Sequence, residues 1–140
     1  MRDEVRRALA IDRSSRIEDR TIDITTTGRR SGLPRRIEIV FSRLDDTIYL
    51  SGIPGPRRRD WLTNLGAEPH FTFHLKHAVV ADLPAVATVI TAPAERAPVL
   101  AGFVEEFNHR HGPDSPWPHA VLDGWVEGSP LARIAFVEPD

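Results

Sequence analysis

Thr21–Ser51, TIDITTTGRRSGLPRRIEIVFSRLDDTIYLS, is the stretch from which the fold is read. TIDITTT (Thr21–Thr27) sets Ile22, Ile24 and Thr26 against Thr21, Asp23 and Thr25, the period of two expected of a half-buried strand. GRRSGLP breaks that run with two glycines and a proline. RRIEIVF resumes the alternation, with Ile37, Ile39 and Phe41 on one face, LDD turns the chain, and TIYLS (Thr47–Ser51) is a third strand. Connections this short exclude parallel crossovers, so the three strands form an antiparallel meander.

The pattern continues on both sides. Residues 3–11 read as a short helix with Val5, Ala8 and Leu9 on one stripe. After the meander, GIPGPRRR is a loop, and DWLTNL a short helix capped by Asp60 and ended by Gly66 and Pro69. HFTFHLKH alternates strictly, with Phe71, Phe73 and Leu75 inward and His70, Thr72, His74 and Lys76 outward. Residues 78–91 read as a long strand, bent or edge-exposed at Pro84. Residues 94–109 carry Leu100, Phe103, Val104 and Phe107 on one helical face. SPWPHAVLDGWVEGSP has no readable element, and LARIAFVEP is a last strand. Six strands joined mostly by short turns predict a mainly β (α+β) chain, a small closed or half-closed barrel with helices plugging its ends. The lack of βαβ alternation excludes a Rossmann sheet.

A length of 140 residues predicts one domain over 1–140, with 1–19 an N-terminal helix and lead-in. The chain has no cysteine, which excludes a disulfide scaffold, a zinc ribbon, an iron–sulfur cluster and a thiol nucleophile. No apolar run approaches the ~18 residues needed to span a bilayer, and the charged start MRDEVRRALAIDR predicts a cytoplasmic location rather than export.

The net charge of −2 is bland, but its distribution is not. Between Arg29 and Arg59 stand eight arginines and three acids, a local +5 on a remainder of −7. A cationic patch on an acidic body suits a discrete anionic ligand better than a long nucleic acid. Few aromatics accompany these arginines, so stacking platforms for bases are lacking as well.

Two loops carry that charge. In Thr25–Arg35, Gly28 and Gly32 permit left-handed backbone that aims N–H groups at one point, and Arg29, Arg30, Ser31 and Arg35 add donors, a cradle for phosphate or carboxylate or else an ordinary exposed turn. In Ser51–Leu65, a glycine-containing loop with Arg57, Arg58 and Arg59 leads into a helix N-terminus, which favours anions. Trp61 is either a stacking platform or a core plug, and Asn64 a capping or surface residue. The histidines make no metal site: His70 and His74 are ~13 Å apart along a strand. No GxSxG, GxGxxG or P-loop occurs.

These two loops, with FTFHLK and the closing FVEP, resemble the deazaflavin-dependent oxidoreductase family, the split-barrel nitroreductase and quinone reductase group. The resemblance spans about residues 20–137. It implies a split β-barrel resembling the FMN-binding fold and the coenzyme F-420, an 8-hydroxy-5-deazaflavin with a lactyl-phosphate and oligoglutamate tail. By motif position, Arg29, Arg30, Ser31 and Arg35 would hold the phosphate and tail. Ser51, Gly52, Pro54 and Gly55 would lie along the ring with their backbone, and Arg57, Arg58, Arg59, Trp61 and Asn64 would complete the phosphate side. The implied chemistry is hydride transfer to an activated double bond, quinone or nitro group of a small molecule. The alternatives are an FMN-binding split-barrel flavoprotein and a non-catalytic deazaflavin binder. Relatives of this kind use pocket tyrosines, whereas this chain has only Tyr49, so His109, His111, His119 or solvent is left to deliver the proton. The acceptor is expected against Asn108–Gly128, which holds Trp117 and Trp125, and a homodimer is one assembly that the resemblance admits.

Overall fold

Among the described residues six strands form: β1 (Thr21–Thr27), β2 (Pro34–Leu44), β3 (Thr47–Ser51), β4 (His70–Lys76), β5 (Val80–Val89) and β6 (Leu131–Phe136). In the computed structural model, which describes residues 1–56, 58–112, 114 and 119–137, they close into an antiparallel barrel in the order β1-β2-β3-β6-β5-β4, with β4 returning to β1. Five helices accompany them: α1 (Asp3–Leu9), α2 (Ile17–Arg20), α3 (Asp60–Ala67), α4 (Pro93–Arg110) and α5 (Leu122–Gly128). Among the described residues no helix is long and apolar enough to cross a membrane.

The alternating residues fill the barrel. Ile22, Ile24, Phe41, Leu50 and Phe73 are fully buried, and Phe41 meets Phe73 edge to face at 5.3 Å. Val5 and Leu9 of α1 plug the end where β1 begins, and Leu65 of α3 the end where it finishes. A second core lies outside the wall, where Leu100, Phe103 and Trp125 of α4 and α5 cover the outward Tyr49 and Leu131. Each buried side chain of this size contributes roughly 1.5–3 kcal/mol.

Several local expectations are corrected. Asp60 does not cap α3: Arg59 holds that position, while the Asp60 carboxylate is taken by arginines, and Gly66 lies inside the helix rather than ending it. Pro84 is not on an edge strand, because β5 pairs with both β4 and β6; the β6 ladder starts only at Ala85, so the missing N–H falls just outside it. The strand expected over 78–91 spans Val80–Val89, and the last strand stops at Phe136. The segment without a readable element contains α5, and α2 was too short to show a period. Trp117 lies outside the described residues.

Ile37 shares its face with buried Phe41 yet is 36% exposed. Phe41 pairs with Leu50, so β3 ends level with Val40 and residues 34–39 of β2 have no β3 neighbour. His74 departs from its pattern the other way. It points outward but is buried, with its ring nitrogens 2.7 Å from Thr25 Oγ1 and 2.7 Å from Asp82 Oδ1.

The outer face of β1, β2 and β4 carries a charge ladder. Asp23 accepts from Lys76 Nζ (2.7 Å) and Arg36 Nε (2.9 Å), and Lys76 also donates to Glu38. The Lys76 hydrogen bond, seconded by Arg36, holds the Asp23 carboxyl below its ordinary value against the opposing effect of burial. A depressed folded-state value stabilises the fold above the unfolded value, and that contribution is lost as pH falls through the folded one. Thermal melts as a function of pH check this: below about pH 4 the wild type loses stability more steeply than Asp23→Asn. Parallel acid limbs in the two proteins contradict it.

Candidate functional site

The β1–β2 turn is tight, and it is fastened to α3. Gly28 N–H donates to Leu33 O (2.8 Å), Gly32 N–H donates to Gly28 O (2.8 Å), and Gly32 has φ +71°. A Cβ on Gly28 would stand 2.6 Å from Ser31 Oγ, which itself accepts from Leu33 N–H, so a side chain at 28 displaces the hydroxyl. Buried Asn64 is the clamp. Its Oδ1 accepts from Arg29 N–H (3.2 Å) and Nη1 (3.0 Å), while its Nδ2 donates to Thr26 Oγ1 (3.2 Å). Arg29 Nη2 also reaches Asp60 Oδ1 at 3.3 Å. Arg29 and Asn64 are thus occupied in positioning the turn.

Arg30 and Arg35 differ from Arg29. Among the described residues neither has an ion pair, and both line a pocket of about 400 Å³ with Ser31, Ile37 and Trp61. The pocket, which Arg29, Asp60 and Asn64 also line, joins these two guanidinium groups to an apolar wall. Trp61 also packs against the barrel core, so it is both plug and wall.

The loop after β3 is folded back on α3. Arg59 donates to Ile53 O (2.8 Å), and Ser51 Oγ donates to Pro130 O (2.8 Å). Gly52 lies where a Cβ would touch Arg59 and Pro130 at 3.4 Å, and Pro54 packs against Gly128 at the end of α5. Gly55, Arg58 and Arg59 face a groove of about 880 Å³ between α3, α5 and the start of α4. The turn arginines and the loop arginines therefore line different concavities. Asp60 stands between them, 3.3 Å from Arg29 and 3.9 Å from Arg58. Arg57 lies outside the described residues.

A third cavity, about 500 Å³, opens where Ser51, Gly52 and Ile53 face the outer helices. Phe103, Phe107 and Trp125 form its apolar wall, and Arg20, Glu106, Arg110 and His111 its polar end. Arg20 and Glu106 pair at 2.7 Å with little exposure, and Arg110 joins Glu106 at 3.1 Å. Local periodicity gives no sign of this network, because Arg20 and Glu106 lie far apart in the chain. Of the candidate histidines only His111 lines the cavity; His109 and His119 are exposed, and His119 sits 3.4 Å from Asn108 Nδ2. Tyr49 packs edge to face on Phe103 at 5.7 Å, inside the second core.

The donor set suits a flat ring and a polyanion: an aromatic-walled cavity at the strand end Ser51–Ile53, and on the β1–β2 turn two guanidinium groups without an ion pair among the described residues. A closed six-stranded antiparallel barrel with flanking helices is the split-barrel, FMN-binding-like fold. Several solved structures share the fold, three of them as follows. A conserved hypothetical protein of Mycobacterium tuberculosis is 19% identical, with 99% of this chain and 82% of that one covered and a TM-score of 0.65. A structure described as a putative pyridoxamine 5'-phosphate oxidase from Listeria innocua is 11% identical, with 97% and 93% covered and a TM-score of 0.60. One described as an F-420-H2 dependent reductase is 15% identical, with 83% and 94% covered and a TM-score of 0.52. At these identities the likeness is one of fold. No curated protein matches the sequence. The family profile described as F-420H(2)-dependent quinone reductase matches residues 3–106, and the chain belongs to that family. It is an oxidoreductase, and its coenzyme is F-420 rather than FMN.

Proposed function

We propose that the chain reduces a small, flat quinone-class acceptor, with the deazaflavin ring along Ser51, Gly52, Pro54 and Gly55 and the phosphate and tail on Arg30, Ser31 and Arg35. Arg29 and Asn64 hold that turn in place, and Trp61 walls the pocket that takes the tail. When bound, reduced F-420 supplies a hydride; the protein contributes orientation, charge and exclusion of water. The observation that carries the reading is the pair Arg30 and Arg35, which among the described residues have no ion pair and line one pocket with Ser31 and Trp61. A cytoplasmic setting and a homodimer belong to the same reading. Exposed Leu33 and Ile37, on and beside the part of β2 that β3 leaves uncovered, offer a surface for a second copy.

Titration of the purified protein with F-420 and with FMN tests the coenzyme, and oxidation of reduced F-420 by menadione, an enone and a nitroaromatic tests the acceptor. The expected result is tight F-420 binding, weak FMN binding, and fastest turnover with the quinone. Micromolar FMN affinity with none for F-420 reverses the coenzyme assignment, and binding without turnover by any acceptor favours a deazaflavin carrier.

A further inference from the structure

The 500 Å³ cavity contains few groups able to give a proton. Arg20 and Arg110 line it, but guanidinium groups stay charged through any working pH. Glu106 is engaged as the acceptor of both, at 2.7 Å and 3.1 Å. Ser51 has its hydroxyl proton engaged by Pro130 O, and Ser42 is an aliphatic alcohol, a poor acid without a strong base beside it. His111 is left, and imidazole is the side chain whose ordinary chemistry exchanges protons near neutral pH. The fold places it firmly: it follows the last residue of α4, its N–H donates to Phe107 O (2.9 Å), and its ring lies 4.4 Å from that of Phe107. It therefore stands where the apolar wall meets the charged end.

Resting on the reading above, we infer that His111 is the catalytic proton donor and that the cavity takes a conjugated carbonyl acceptor, its ring against Phe103, Phe107 and Trp125 and its oxygen toward Arg110 and His111. In one turnover the acceptor gains two electrons and a hydrogen as hydride, and a C–H or O–H bond forms. The negative charge left on its oxygen is quenched by a proton from the His111 ring, which solvent then restores. Oxidation of the coenzyme balances the two electrons and returns one proton to solvent. Arg110 stabilises the developing oxyanion, and the Glu106–Arg20 pair holds Arg110 at the cavity rim. The charged groups lining the same cavity are thus Glu106 and Arg110 from α4 and Arg20 from α2.

Two readouts test this. With the holoenzyme and menadione, His111→Ala lowers kcat by about 100- to 10,000-fold with KM changed only a few-fold, the size of a lost general acid. Added imidazole restores part of that rate in His111→Ala but not in His111→Gln, where the side chain fills the space. Without coenzyme, 2-naphthol, a hydroquinone-like probe that cannot be reduced, shifts the ring resonances of His111 and leaves those of His109 and His119 in place. Full activity in His111→Ala, or lost activity with neither rescue nor a naphthol shift, overturns the donor role while wild-type turnover leaves the F-420 reading standing. Failure of the wild type to oxidise reduced F-420 with any acceptor overturns both.

Discussion

Replacing Arg30 and Arg35 together by alanine lowers the affinity for F-420 by about 100-fold or more while leaving the melting temperature unchanged. A charge-assisted hydrogen bond contributes roughly 1.5–3 kcal/mol, which is tenfold or more per arginine. Neither side chain has an ion pair within the described fold, so their removal orphans nothing and falls in the roughly ±0.5 kcal/mol range of ordinary surface changes. If both grip one phosphate the double variant loses less than the sum, and the cycle measures that coupling. Rising ionic strength should weaken wild-type binding and have little effect on the double variant, because screening removes the same interaction. Arg29→Ala behaves differently: it breaks the contacts to Asn64 and Asp60, so affinity and stability fall together. Unchanged affinity in the double variant, measured by isothermal titration, moves the tail to the groove lined by Arg58 and Arg59.

The barrel was legible because its signal is local. TIDITTT, RRIEIVF, TIYLS and HFTFHLK each state their own period, and the short turns between the first three fix their pairing. What stayed hidden depends on where elements end in space. Ile37 fits its alternation perfectly, yet β3 stops at Ser51 and leaves it uncovered against the arginines. The arginine loops were visible as composition, but their division was not: a carboxylate at Asp60, readable only as a helix cap, stands between the two sets. Asn64 looked like a surface residue because its partners, Arg29 and Thr26, lie far back in the chain. Of the 500 Å³ cavity, the aromatic stripe of α4 and a set of candidate histidines are readable locally, while singling out His111 needs the helix end placed against Ser51.

Arg96→Met destabilises the protein by about 3–5 kcal/mol, more than any exposed substitution, because its guanidinium replaces solvent for four carbonyls. It is 8% exposed, and donates to Ile90 O (2.8 Å), Val126 O (2.9 Å), Trp125 O (3.4 Å) and Ser129 O. No carboxylate accompanies it among the described residues, and burial lowers its pKa from the ordinary arginine value. In sequence it is one more cation after Glu95 on an amphipathic helix. In the fold it joins the start of α4 to the end of β5 and the last turn of α5, where Ser129 already buries a hydroxyl without a partner. Methionine keeps the packing volume and removes every donor, so the loss measures the orphaned carbonyls rather than a cavity. Arg96→Lys recovers only part, since one ammonium cannot span acceptors that a planar fork reaches together. The same joint carries function: α5 supplies Trp125 to the acceptor cavity, and Pro130 holds Ser51. Below its melting range, Arg96→Met should therefore raise KM for the quinone before it weakens F-420 binding, because Arg30 and Arg35 lie on a separate turn fastened through Asn64. Chemical denaturation and steady-state kinetics on one preparation read both effects, and a variant as stable as wild type shows that water can satisfy those carbonyls and that the joint is held elsewhere.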